Sequence, residues 1–81
     1  MLRLTEVKLP LEHSEVQLTA AVLARLGIAA GDLIDVHMFR RGVDARKLSA
    51  IAYIYTLDVE VRDEAAVLDR LKGIRHVGPA P

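Results

Sequence analysis

Eighty-one residues make one small domain, 52% hydrophobic yet with only two Tyr and one Phe, so its core is aliphatic. Eleven basic residues balance eleven acidic ones, which excludes a whole-molecule basic field for nucleic acid or anionic membrane but leaves room for a local patch. The absence of cysteine excludes disulfides and thiolate metal sites and suits a reducing cytoplasm. The first residues do not read as a signal peptide, and no run reaches the ~18 apolar residues of a membrane span, so a soluble cytoplasmic protein is expected.

In chain order, residues 2–9 read as a strand. Leu2 and Leu4 share one parity, and Val7 and Leu9 take the other, a phase change that predicts a bulge. Pro10 closes the strand. Ser14 and Gln17 match a capping box, and Leu18, Val22 and Leu26, widened by Val16 and Leu23, predict a helix over 15–26 stopped by Gly27. Residues 29–32 form a turn.

Residues 33–41 read as a second strand, with Ile34, Val36 and Met38 on one face and Asp35 and His37 on the other; Phe39 breaks the alternation. The third strand, 48–61, carries the strongest pattern. Ile51, Tyr53, Tyr55, Leu57, Val59 and Val61 form one apolar face, opposite a face that turns acidic towards its end. Asp63 is placed to cap a second helix over 64–72, whose Val67, Leu68 and Leu71 make its buried stripe. After Gly73 there is room for one short edge strand and then a linker-like end, Gly78-Pro79-Ala80-Pro81. The domain is therefore drawn at 1–77. The order implies an α+β fold, a ferredoxin-like βαββα(β) plait with an antiparallel sheet, two helices on one face, and a last strand that is short or missing. An unpaired sheet edge invites a partner.

One cluster stands out as a candidate site. Arg40, Arg41, Asp44, Arg46 and Lys47 sit at the predicted connection between the second and third strands, around Gly42. Guanidinium forks and turn amides can hold phosphate or carboxylate oxygens, while the plain alternative is a solvated hairpin with Asp44 folded back onto the turn. His13, His37 and His76 lack ligand spacing. Tyr53 and Tyr55 share the apolar face and read as core rather than as a base-stacking platform. Asp58, Glu60, Asp63 and Glu64 read as a strand exit and a helix start rather than a catalytic pair. There is no GxGxxG, GxSxG or other glycine-rich phosphate loop, so no catalytic, cofactor-binding or metal site is expected within the chain.

Three segments together resemble the N-terminal region of a bacterial family of uncharacterised FAD-dependent dehydrogenases. They are Leu2-Arg3-Leu4-Thr5-Glu6-Val7-Lys8-Leu9-Pro10-Leu11, Phe39-Arg40-Arg41 through Asp44-Ala45-Arg46-Lys47, and Tyr53-Ile54-Tyr55-Thr56-Leu57-Asp58-Val59. The resemblance implies that a two-dinucleotide-binding-type flavoprotein follows, joined by a proline-bearing linker like residues 78–81, and that FAD belongs to that parent protein rather than to these residues. Gly42 departs from the polar residue expected there. The implied role is an accessory module that packs on or beside the flavin domain, with Arg40, Arg41, Arg46 and Lys47 meeting carboxylate or phosphate groups and Asp44 orienting them. Two other readings of the same residues stand beside it: a free-standing nucleic-acid-binding plait using the basic segment, and a homodimer joined through the open sheet edge.

Overall fold

The computed structural model describes residues 1–45 and 51–81. The elements are β1 (Leu2–Pro10), α1 (Glu15–Leu26), a 3-10 turn (Ala30–Asp32), β2 (Leu33–Asp44), β3 (Ala52–Val61), α2 (Glu64–Arg70) and β4 (Val77–Pro79). All neighbouring strands are antiparallel, in the order β2-β3-β1-β4. The α+β class and the ferredoxin-like plait are thus as the sequence order implies. The uncertain last strand exists, three residues long.

Three irregularities shape the sheet. In β1 the register with β3 shifts between Leu4 and Val7, and Glu6 takes a left-handed φ of 56°. The extra residue lets Leu2, Leu4, Val7 and Leu9 all face the helices and become buried. A non-glycine residue in that conformation costs roughly 1–2 kcal/mol, and Arg25 of α1 offsets it by donating to Thr5 O at 3.1 Å and to Glu6 O. In β2 the register shifts twice, leaving Ile34 and Phe39 as the extra residues.

The core lies between the sheet and the helices. Leu2, Leu4, Val22, Leu26, Leu57 and Val59 are fully buried, with Tyr55, Val61 and Val67 around them. The apolar parity of β3 falls on the helix-covered side as expected. α1 begins at the full capping box of Ser14 and Gln17 and ends at Gly27, with φ 64°. Arg70 of α2 donates to Leu26 O and Gly27 O, so it satisfies carbonyls that α1 leaves open.

Several expectations need correction. Val16 is 77% exposed and does not widen the buried stripe of α1. Asp63 stands at the N-cap of α2 but in a left-handed conformation, and its side chain makes no capping bond; the sharp exit from β3 sets its backbone instead. α2 ends at Arg70 rather than at 72. The boundary drawn after residue 77 falls inside β4, and the Ala80 amide donates to Met1 O at 2.9 Å. Residues 78–80 are therefore tied to the sheet, because pairing with β1 satisfies backbone groups that a linker would leave to water. Residues 48–50, expected in the third strand, lie outside the described residues.

Replacing Arg25 by Ala is expected to cost about 1–3 kcal/mol in chemical denaturation, since charged hydrogen bonds to two bulge carbonyls are lost. Adding Glu6→Gly should recover part of it, as glycine adopts a positive φ without strain.

Candidate docking face

The described part of the basic segment is strand rather than loop. Arg40, Arg41 and Asp44 belong to β2, which runs on to Asp44. An edge strand meets water along one side, so its charged residues mimic a loop in sequence. Strand alternation also separates the two arginines. Arg40 pairs in register with Thr56 on the helix-free side of the sheet, and Arg41 with Tyr55 on the helix-covered side. They cannot form one anion cradle. Asp44 faces Lys8 across the sheet, Oδ2 to Nζ 3.5 Å. Arg46 and Lys47, the other two residues of the predicted cluster, lie outside the described residues.

The structure builds a different assembly on the helix-free side. Arg3 of β1 forms a two-pronged ion pair with Asp58 of β3, Nε to Oδ1 2.8 Å and Nη2 to Oδ2 3.0 Å. The β2 bulge swings Phe39 across β3, so that the Arg3 guanidinium lies 3.9 Å from its ring centroid and that of Arg40 5.9 Å. His37 stands opposite Asp58 in register, and its Nε2 is 3.1 Å from Asp35. The hydrogen bonds from Arg3 hold the Asp58 carboxyl below its ordinary value, outweighing the upward push of partial burial; the positive field of Arg3 helps. Phe39 remains 53% exposed. The face is a polar frame around one presented ring.

Sequence reasoning overlooked Arg3, Phe39 and Asp58 as a group. Their signal was present in the parity: Arg3 lies between Leu2 and Leu4, and Asp58 between Leu57 and Val59, so both must emerge opposite the core.

A second polar cluster closes the other side of the sheet. His13 Nδ1 is 2.7 Å from Pro10 O, and its Nε2 is 2.8 Å from the hydroxyl of buried Tyr55. The Pro10 carbonyl can only accept, so Nδ1 carries the proton and Nε2 accepts from Tyr55. The imidazole meets the edges of Tyr53 and Tyr55, and Arg41 lies 4.7 Å from the Tyr53 centroid. Both tyrosines are thus structural, as their parity suggested, and His13 fastens the β1–α1 connection to β3. His76 likewise bonds Thr5, Nδ1 to Oγ1 3.1 Å.

Among the described residues no group of His, Asp and Glu could hold a metal ion. The β1–α1 connection, where a dinucleotide-binding fold would place its glycine-rich turn, contains no glycine at residues 11–14, and the α1 terminus is already closed by Ser14 and Gln17. These residues do not fit a flavin.

The fold and this face define a small α+β domain with one side of its sheet bare of helices. The chain belongs to a family known as Domain of unknown function (DUF8436), whose model matches residues 1–60, from β1 almost to the end of β3. No curated protein matches the chain. No helix among the described residues is long and apolar enough to cross a membrane.

Two outcomes are expected. The folded-state pKa of Asp58 is lowered, so its contribution to stability is complete above the ordinary carboxylate value of 3.8 and is lost as pH falls through the folded value. The gap in denaturation midpoint between the parent and Asp58→Asn should therefore be flat near neutrality and shrink in acid. Tyr55→Phe removes the donor to His13 Nε2 and should cost about 1 kcal/mol by urea titration.

Proposed function

We propose that this domain is an accessory N-terminal module of an FAD-dependent oxidoreductase, packing on or beside the flavin domain and performing no catalysis of its own. The observation that supports it best is the helix-free face. A four-stranded sheet covered on one side only presents a half-exposed Phe39 framed by Arg3 and Arg40. Aromatic and Arg side chains are enriched at interface centres, and a pre-formed ion pair such as Arg3–Asp58 costs little ordering entropy on contact. The resemblance of the opening segment, the basic segment and the tyrosine strand to the flavoprotein family supplies the partner. Arg40 faces outward to meet a carboxylate or phosphate of the flavoprotein body, and Arg46 and Lys47 keep the same role from their sequence context.

The nucleic-acid reading is weaker on this geometry. Asp35, Asp44, Asp58 and Glu60 take helix-free positions in the same register as Arg40, and a phosphate backbone would meet their charge. Phe39, the one phenylalanine, is stacked on Arg3, which leaves little of a base-stacking platform.

The reading frame beyond Pro81 is expected to encode a glycine-rich dinucleotide fingerprint, and the purified product to show the visible absorbance of bound flavin. In that protein Phe39→Glu should loosen the module, seen as faster proteolysis between the two domains. An immediate stop codon, or a product without flavin, would overturn the proposal.

A further inference from the structure

The geometry points to β2 as a self-complementary edge on which a second copy of this chain docks, strand against strand, around a twofold axis between Met38 and Phe39. This inference does not depend on the flavoprotein reading.

β2 is the outermost strand and, at 12 residues, the longest. Its far side has no strand neighbour among the described residues, so a row of backbone donors and acceptors roughly 40 Å long faces outward at ~3.4 Å per residue. Among the described residues, half of the exposed large hydrophobic ones fall on it: Ile34, Met38, Phe39 and Val43, each 53–59% exposed. Four charged residues, Asp35, Arg40, Arg41 and Asp44, and two bulges would normally blunt such an edge. Here the charges are distributed so that they attract a copy of themselves. The acidic Asp35 lies near the start of the strand and Arg40 and Arg41 near its end, so antiparallel pairing brings opposite charges together at both ends.

One register brings the opposite charges together. With the axis between Met38 and Phe39, Ile34 stands level with Val43 of the other copy, and the two bulges meet at the axis with Met38 on the helix-covered side and Phe39 on the helix-free side. Asp35 stands opposite Gly42, which has no side chain of its own, and diagonally from Arg40. Asp35 and Arg40 occupy the same side of the sheet, as their pairing with Glu60 and Thr56 requires. No like charges face each other directly.

The helix-covered side gives independent support. Between α1 and β2 lies a groove of about 370 Å³, lined by Glu15, Leu18, Thr19, Asp35, Val36 and Met38 and floored by Leu57. In this register Arg41 of the other copy stands opposite Val36, on the helix-covered side that both residues share, and so enters a groove that carries Glu15 on its helix wall. Its aliphatic stem covers Met38. The formal net charge of zero leaves little long-range repulsion against association.

A charge-swap experiment tests this on the 81-residue chain, each variant first shown to be folded by circular dichroism. Sedimentation velocity should give a dimer for the parent chain. The pair Arg40→Glu with Arg41→Glu, and the pair Glu15→Arg with Asp35→Arg, should each weaken the dimer by ~10-fold or more. An equimolar mixture of the two variants should form a heterodimer, because each then carries the charges the other lacks. A monomeric parent chain at the highest concentration reached would overturn the proposal, and so would a dimer that neither pair weakens or a mixture that fails to associate.

Discussion

The extra residue in β1 is the constraint on which the rest of the molecule depends. A regular strand from Leu2 to Pro10 would send either Leu2 and Leu4 or Val7 and Leu9 to the bare face of the sheet. With the bulge, all four lie under the helices, and the core becomes large enough for so short a chain. Because β1 is central, the same step sets which of its polar residues emerge on the other side. Arg3 before the bulge and Lys8 after it both reach the helix-free face, where they meet Asp58 and Asp44. The side chain that holds the bulge, Arg25, comes from α1. Helix placement and strand irregularity are therefore one device.

Two-sidedness follows from this. One face of the sheet is closed by α1 and α2, with Arg70 joining the helices and His13 fastening the entry of α1 to Tyr55. The other face carries ion pairs and a presented ring but no covering layer among the described residues. Polar pairs of this kind keep a bare sheet wettable while the domain stands alone, and they hold their geometry when a partner covers them. The carbonyls, amides and side chains of the outer strand are disposed in the same way, available along one edge.

Much of the fold was legible in the sequence because its signals are local. The capping box, Gly27, the alternation of β3 and the phase change in β1 are each written in fewer than a dozen residues, and each has its expected consequence in the structure. The second strand was misjudged at its far end. Gly42 and the flanking charges have the composition of a turn, and only pairing with Tyr53 and Tyr55 shows that they continue the sheet. The linker-like end was misjudged for a related reason, since Gly78 and Pro79 are poor strand formers held in place by a neighbour.

The candidate site was less legible than the fold. Clustering in sequence suggested that Arg40 and Arg41 act together, whereas a strand's period of two sends adjacent side chains to opposite faces. The group that does assemble, Arg3 with Phe39 and Asp58, joins three strands and depends on two bulges. Such a constellation becomes visible only once strand order and register are known.

The most direct measurement of a covered helix-free face is thiol accessibility at its centre. Thr56→Cys can be introduced where the chain has no cysteine of its own, and alkylation followed by mass spectrometry of the peptide that bears it. Reaction should be several-fold slower in the flavin-bearing polypeptide proposed above than in the isolated domain. Equal rates in both would contradict the account.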